Sequence, residues 1–407
     1  MPTNIALYPW FQFCRSLLFW QAIWFLYFQK ELSAAEAILL AAIYDITTTA
    51  LEIPSGYISD RLGRRLTLII AIAIKIAAAL LLAFGDEFAI FALAQALLGA
   101  SMAFTSGTDT SLLFESLSPA TRNKTIERHE QRAWRFSFTG LALSAVTGGL
   151  LAAIAPMWAF IATAIAALVA LLIATQFTEP PHQRWQATFR ISGRNPNRNA
   201  GAQRAALTAA FQRPTLRWLF CLAAGMYTLS HVPFVFGQPF ILEAVNAAKI
   251  DLDASIVSGG VTATMMLVSV ATSWLAPALQ RRLGVGPVLL IALGMQVAQI
   301  ALLALTNHPA AIALLFLRMV PDSLAKPYIL ARIHPLLTDS ARATYLSIQS
   351  FCGRLIFAAS LFLSTFGASG TGALAYPEIR IILVGYAAAG LIMLIALTHT
   401  IRRAEID

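Results

Sequence analysis

A short charged stretch separates two long apolar runs near the N-terminus, and this contrast limits the folds that are open to the chain. Residues 51–66 read LEIPSGYISDRLGRRL and place one aspartate and three arginines within six positions. The apolar run on either side is about long enough to cross a bilayer as a helix. So many charges cannot lie in hydrocarbon, and the stretch is therefore predicted to be a very short loop at a membrane surface.

The composition extends this prediction to the whole chain. Of its 407 residues, 58% are hydrophobic and only 12% are charged, and the mean hydropathy is +0.70. A soluble domain carries about 25% charged residues, so we expect an all-α membrane protein. The first apolar run has no basic segment before it and leads directly into further spans, which argues against a cleavable signal peptide.

Twelve apolar segments are predicted to cross the membrane, and one long polar segment divides them six and six. The twelve spans are 8–28, 35–58, 66–84, 88–117, 133–154, 156–177, 217–241, 253–279, 287–306, 309–336, 343–368 and 377–399. Between the sixth and seventh lies 178–216, which is rich in arginine and polar residues. We therefore expect a six-helix bundle at 1–177, a linker at 178–216 and a second six-helix bundle at 217–407.

The distribution of positive charge predicts the orientation. Of the 29 Lys and Arg residues, 20 fall in segments on one side of the predicted spans and 3 in segments on the other. Because basic loops stay in the cytoplasm, both termini are expected to be cytoplasmic. The same alternation argues against a nucleic-acid partner, although the net charge is +9.

The charged loop resembles a motif of the major facilitator superfamily, G-x-x-x-D-R-x-G-R-[RK], between the second and third helices. Its fixed positions are all filled here, by Gly56, Asp60, Arg61, Gly63, Arg64 and Arg65. The resemblance implies two six-helix halves with a substrate site near the membrane midplane. It also implies a cytoplasmic latch that favours the outward-open state, a role carried over to Asp60, Arg61 and Arg65. RLGVGPVLLIA at 282–292 is a weaker echo of RLGRRLTLIIA at 61–71.

Four ionisable residues in the first half are candidates for proton coupling or for a gate. Counted at about 1.5 Å per residue, Arg15, Glu52 and Asp109 lie at one level, roughly 10–13 Å from the cytoplasmic face. Asp45 shares a helix face with Glu52. Charges at such depth usually mark pathways, but a static ion pair between Arg15 and one acid remains an equal alternative. Lys75 is also unexpected within a span.

In the second half, charged and aromatic side chains are candidates for the substrate cavity. Arg318, Asp322 and Lys326 follow one another at intervals of four residues on the tenth span, and Arg354 and His231 lie near mid-depth. The resemblance places helices 1, 4, 7 and 10 around the cavity. The alternative is an Arg318–Asp322 pair within one helix. His231 falls in SHVPFVFGQP, where two prolines are expected to break the helix; a histidine there is more often a hydrogen-bond filler than a switch.

Two tryptophans of the first span, Trp20 and Trp24, are further cavity candidates, although most aromatic residues in such helices face lipid or the interface. Proton-driven exporters of the superfamily usually carry a Gly-Pro pair on helix 5. This chain has Gly140, Gly148 and Gly149 there without the pair. These glycines could instead permit close packing with helix 8.

Other classes of function are disfavoured. GASG at 367–370 resembles the GxSG of rhomboid proteases but falls in a small-residue stretch, and no loop is long enough for a signalling domain. Cys14, Cys221 and Cys352 lie in three separate segments, so neither a disulfide framework nor a metal site is expected.

We predict a monomeric, proton-coupled exporter of a small organic solute in the bacterial cytoplasmic membrane, without a cofactor. An uptake symporter or facilitator for an anionic or zwitterionic metabolite is the alternative.

Overall fold

The computed structural model describes residues 2–118, 120, 122–180, 208–333, 336–337, 339–368 and 374–404. Throughout this part of the chain the regular structure is helical. The α-helices are α1 (Pro2–Arg15), α2 (Trp24–Glu31), α3 (Ala34–Leu62), α4 (Arg64–Phe84), α5 (Phe88–Thr105), α6 (Thr108–Ser116), α7 (Arg122–Ile154), α8 (Met157–Gln176), α9 (Pro214–Ala247), α10 (Ala254–Leu283), α11 (Val285–Leu305), α12 (Val320–Ile333), α13 (Asp339–Ser364) and α14 (Tyr376–Ala404). Short 3-10 helices cover Phe19–Ala22, Pro309–Leu317 and Thr365–Gly367.

Ten segments of the described chain are long and apolar enough to cross a membrane as helices. The two predicted spans missing from this set are the first and the tenth, and each is divided. The first consists of α1, the 3-10 helix Phe19–Ala22 and α2, and the tenth of the 3-10 helix Pro309–Leu317 and α12. The chain is therefore an all-α, multi-pass membrane protein, and the fourth span is divided as well, into α5 and α6.

Local signals in the sequence explain where α3 begins and ends. Ser33 caps its N-terminus in a capping box: its Oγ accepts from Glu36 N at 3.3 Å, and the Glu36 carboxylate accepts from Ser33 N at 3.0 Å. At the other end Gly63 has φ +94°, a backbone conformation that glycine tolerates readily. The loop to α4 is thus a single residue, as short as predicted. Gly284, at the sequence echo, has φ +83° and joins α10 to α11 in the same way.

The described residues fall into two compact units. Unit 1 lies within Met1–Arg184 and Asp251–Ala263; there α3 packs along α5, α4 along α8 and α5, and α1 along α7. Unit 2 lies within Trp185–Ile250, Thr264–Ala368 and Leu374–Asp407; there α9 packs on α13 and α14, and α11 on α12 and α14. Most of the predicted linker, 181–207, lies outside the described residues, so its place and the predicted bundle boundaries stay predictions.

Glycines allow close helix contacts inside unit 1. A Cβ at Gly140 of α7 would lie 2.7 Å from the Phe13 carbonyl oxygen, and one at Gly148 would overlap the Phe19 carbonyl oxygen. A Cβ at Gly149 would lie 2.5 Å from the carbonyl oxygen of Ser255, near the start of α10. Packing against helix 8 was therefore right for Gly149, whereas the other two glycines pack against the first span.

The predicted helix break near His231 is wrong. α9 runs without interruption from Pro214 to Ala247, with Pro233 and Pro239 inside it. Prolines are tolerated inside membrane helices because neighbouring groups and small adjustments satisfy the freed carbonyls. The interruptions of the chain lie elsewhere, in the first, fourth and tenth spans.

Candidate functional site

The interruption of the first span is stabilised by side chains from three other helices. Lys75 of α4 is buried, and its Nζ donates to the carbonyl oxygen of Arg15, the last residue of α1, at 2.5 Å. Ser144 Oγ of α7 accepts from Leu18 N at 3.0 Å, and Thr163 Oγ1 of α8 accepts from Phe19 N at 3.1 Å. These contacts satisfy backbone groups that a continuous helix would satisfy internally, which is a requirement within a bilayer.

At this interruption the structure brings Arg15 and Asp109 together. Arg15 Nη2 lies 3.3 Å from Asp109 Oδ2, and the aspartate side chain is 9% exposed. Gln12 joins the two: its Nε2 donates to Asp109 Oδ2 at 2.9 Å, and its Oε1 accepts from Arg15 Nη2 at 2.8 Å. Gln12 Nε2 also contacts Tyr8 OH at 2.8 Å. The result is a half-buried ion pair within a hydrogen-bonded network.

A second interruption positions the aspartate. The fourth span is divided into α5 and α6 at Ser106 and Gly107, and Gly107 has φ +75°. Asp109 lies in the first turn of α6, where the helix dipole favours a carboxylate, and its Oδ1 accepts from Thr110 N at 2.8 Å. Because two chain interruptions meet at this ion pair, it is the principal candidate site in unit 1.

Glu52 lies on α3 and does not join this pair. Its side chain is partly exposed, and within the described part of the chain its carboxylate has neither an ion pair nor a hydrogen bond. The alternative of an Arg15 ion pair with one acid is therefore realised with Asp109. Asp45, on the same helix, is buried at 5% exposure. The functional roles predicted for Glu52 and Asp45 stay predictions.

The charged loop forms a compact network around Arg64. Arg64 Nη1 lies 2.7 Å from Asp60 Oδ1 and donates to Ser59 Oγ at 2.8 Å, and Arg64 Nη2 lies 3.2 Å from Glu115 Oε1 on α6. The carboxylate of Glu179 accepts from Arg64 N and Arg65 N at 2.6 and 2.8 Å. It therefore caps the N-terminus of α4, which is an anion-binding position.

The remaining motif residues have separate contacts. Arg65 Nη2 donates to the carbonyl oxygen of Thr175 at 2.7 Å, whereas Arg61 is exposed and contacts Tyr57 OH at 3.1 Å. A Cβ at Gly56 would meet no atom within 4 Å, so no close packing at this glycine is found in the described chain. The contacts of Glu179 and the central place of Arg64 in this network were not predicted from the sequence. Glu179 lies outside the motif, two residues after the predicted sixth span.

In unit 2 the alternative of an Arg318–Asp322 ion pair is not found, and the assignment of both residues to the substrate cavity stays a prediction. Asp322 Oδ2 lies 2.8 Å from Lys326 Nζ, one turn later, and Asp322 Oδ1 accepts from Gln296 Nε2 at 3.3 Å. Arg318 lies at the end of the 3-10 helix Pro309–Leu317, so its side chain does not follow the regular spacing of α12 that a continuous helix would give.

His231 belongs to an aromatic group on α9 and α13. It stacks on Tyr227 with 4.1 Å between ring centroids, and its Nδ1 lies 2.7 Å from the Tyr227 carbonyl oxygen. Phe357 packs at 5.2 Å from the imidazole. The Arg354 guanidinium lies 5.6 Å from the centre of the Tyr227 ring. The expected hydrogen-bond role of His231 is present, and its role in transport stays a prediction.

The two tryptophan candidates differ in their surroundings. Trp20 lies in the 3-10 helix of the first span and is partly exposed, while Trp24 is 3% exposed and packs against Phe25 and Phe28 in the core of unit 1. Their assignment to a cavity stays a prediction. Among the described residues, no group of three or more His, Cys, Asp or Glu side chains could hold a metal ion.

Comparisons with known proteins identify the family and the fold. The sequence model of the Major Facilitator Superfamily matches residues 10–361, whereas a comparison with curated protein sequences gives no match. The nucleoside transporter NupG has a similar structure, with a TM-score of 0.75 and 13% identity over 98% of this chain and 99% of that one. The peptide transporter POT in complex with sulfate has a TM-score of 0.76 and 12% identity, over 98% of this chain and 94% of that one. An auto-inhibited peptide transporter of the POT family has a TM-score of 0.74 and 14% identity, over 99% of this chain and 98% of that one. At these identities the likeness shows the fold alone.

Proposed function

Because the chain belongs to the major facilitator superfamily, we propose that it exports a small organic solute across the cytoplasmic membrane in exchange for protons. It acts as a monomer by alternating access, with both termini in the cytoplasm. The observation that carries the proton-coupling proposal is the contrast between two carboxylates in the membrane: Asp109 is held in an ion pair, and Glu52 has no partner within the described chain.

Glu52 is the protonation site in this proposal. A carboxylate in the membrane without a nearby cation carries a large free-energy cost for its charge. Proton uptake removes that cost, so it can shift the conformational equilibrium. A partly exposed side chain can also exchange protons with water. Asp109 is less suited to this step, because its carboxylate is already held by Arg15, Gln12 and the Thr110 amide.

Asp109 and Arg15 act as a gate in this proposal. Their ion pair connects the end of α1 to the start of α6, so the two interrupted spans move together while it is intact. Glu52 lies close to the charged loop in the sequence. Neutralising it would then change the populations of the conformations that the loop stabilises. The network of Asp60, Arg64 and Glu115 holds α3, α4 and α6 together at the loop and is the local part of the proposed latch.

Uptake by symport, or facilitated diffusion of an anionic or zwitterionic metabolite, is the second candidate. It is favoured by the absence of the Gly-Pro pair on helix 5 and by the packing role of Gly140 and Gly148 against the first span. The structural neighbours transport nucleosides and peptides, so both solute types belong in a first screen.

The test is transport into proteoliposomes with and without a pH gradient, using radiolabelled uridine, dialanine and phenyl phosphate as probes. Proton-coupled export predicts that a probe moves against its gradient when protons are supplied in the opposite direction, and that a protonophore abolishes this movement. Accumulation in the same direction as proton flow indicates symport instead. Equal rates with and without the pH gradient would contradict proton coupling.

A further inference from the structure

A positive group in unit 2, separate from the proton-coupling residues, is without a full set of partners. Arg318 is partly buried at the point where the tenth span is interrupted. Among the described residues its buried Nε has no hydrogen-bond partner, and its Nη2 contacts the weak acceptor Met319 Sδ at 3.7 Å. No carboxylate lies within 4.0 Å of it in the described chain, and Asp322 pairs with Lys326.

Arg318 packs on one ring of an aromatic group, and a second guanidinium packs on another ring of the same group. Arg318 lies 5.0 Å from the centre of the Phe234 ring, and Phe234 packs against His231 at 6.4 Å. On the other side of that imidazole, Tyr227 carries the Arg354 guanidinium on its ring. The two guanidiniums therefore flank one aromatic group formed by Tyr227, His231 and Phe234.

The chemistry of this arrangement suits an anion. An arginine in a membrane segment is costly unless its charge is balanced or hydrated, and Asp322, four residues along the chain, forms its ion pair with Lys326 at 2.8 Å. Aromatic faces hold a guanidinium in place but do not remove its charge, and the planar N–H groups of Arg318 can bind a carboxylate or phosphate. The planar fork of a guanidinium matches a carboxylate or phosphate bidentately, and such an anion also balances the charge, which a neutral solute does not.

We propose that Arg318, assisted by Arg354, binds the anionic group of the transported solute, so that the substrate is an organic carboxylate or phosphate. The aromatic group beside the arginines is suited to the apolar part of such a solute. This inference rests on the proposed transport function. It concerns binding, so its test requires neither a pH gradient nor a known direction of transport.

Thermal unfolding of the purified full-length protein tests the inference with benzoate and phenyl phosphate as anionic probes. Benzamide and benzamidine are matched controls, because they have the same ring with a neutral or a positive head group. We expect at least one anionic probe to raise the unfolding temperature at concentrations where both controls do not. Arg318→Gln should weaken this binding at least about tenfold, and Arg318→Lys should weaken it less. Arg281→Gln, which removes an exposed positive charge on α10, should leave it unchanged.

An equal response to benzoate and benzamide, or anion binding that is unchanged in Arg318→Gln, would overturn the inference. If Arg318→Gln does not fold, the Arg318→Lys comparison and the probe selectivity of the unaltered protein still decide. Anion-selective binding without any proton-driven transport would leave this inference intact and contradict the proton coupling. Gradient-driven transport of uridine alone, with no anion-selective binding, would support the proton coupling and contradict this inference.

Discussion

At the scale of single residues, the carboxylates in the membrane differ in their partners. Asp109 is fixed by Arg15 and Gln12, whereas Asp322 is paired with Lys326, whose side chain is 66% exposed. A partly buried pair with extra hydrogen bonds should be strongly coupled, and a pair with one exposed partner only weakly. This difference can be measured without knowing the substrate.

Replacing Arg15 by Gln should lower the free energy of unfolding by about 1–3 kcal/mol, since it leaves the Asp109 carboxylate without its counter-charge. Adding Asp109→Asn should recover part of that loss, because the remaining groups are then neutral. Lys326→Gln is the control and should change stability by less than about 1 kcal/mol. Chemical denaturation of these three variants and of the single Asp109→Asn variant in detergent gives the comparison. Additive effects of Arg15→Gln and Asp109→Asn would show that the pair contributes no coupling.

At the scale of helices, the interruption of the first span depends on a few contacts from its neighbours. Lys75 is the clearest example, because its buried ammonium group provides the hydrogen bond that the Arg15 carbonyl lacks within α1. The glycines of α7 are the second, because they allow the backbone of the first span to approach. Each has its own prediction.

Lys75→Met keeps the length of the side chain and removes the donor. It should destabilise the protein by about 1–3 kcal/mol, the usual loss for a buried acceptor left without a partner. Lys30→Met, in the exposed last turn of α2, is the matched control and should have little effect. If both variants unfold at the same denaturant concentration, the Arg15 carbonyl does not depend on Lys75.

Gly148→Ala introduces a Cβ that overlaps the Phe19 carbonyl oxygen, and we expect a loss of at least about 2 kcal/mol or of folded protein altogether. Gly385→Ala on α14 is the control: a Cβ there meets no atom within 4 Å, and alanine favours the helix. Fluorescence-detected size-exclusion chromatography of both variants, followed by thermal unfolding, provides the measurement. Equal yields and unfolding temperatures would contradict the close contact.

These elements also show what the sequence could predict and what it could not. The loop around Gly63 was predictable, because its charges and its glycine determine a surface turn locally. The interruption after Arg15 was not: the residues SLLFWQAI that follow contain neither proline nor glycine. It depends on Lys75, Ser144 and Thr163, which are distant in sequence and meet only in the folded chain. The unexpected lysine in the third span was the one available signal.

The same reasoning explains the errors in the second half. Regular helical spacing offered an Arg318–Asp322 pair as the alternative to a cavity role, but the 3-10 segment before α12 changes that spacing. Two prolines predicted a break in the seventh span, although α9 continues through both. In each case the local pattern was read correctly, and the surrounding helices determined the backbone.

At the scale of the whole molecule, the orientation of the chain in the membrane remains a prediction from its positive charges. Single cysteines at positions 193 and 252, in a background without Cys14, Cys221 and Cys352, should react with an impermeant maleimide on opposite sides. The residue at 252 is Leu252, which is exposed between α9 and α10. We expect labelling at 252 and not at 193 in intact cells, and at 193 after the cells are opened. The reverse pattern would invert the topology.

The most direct test of the proposed mechanism compares Glu52→Gln with Glu36→Gln in proteoliposomes. Both changes lie on α3, and glutamine at position 36 can retain the capping box, so the second variant is a matched control. Each is measured in two modes with the solute that the unaltered protein transports: movement driven by a pH gradient, and exchange of labelled for unlabelled solute at equal pH. The account predicts that Glu52→Gln loses gradient-driven movement by at least about tenfold but retains exchange, while Glu36→Gln retains both. Gradient-driven movement that is unchanged in Glu52→Gln would contradict the assignment of Glu52 as the protonation site.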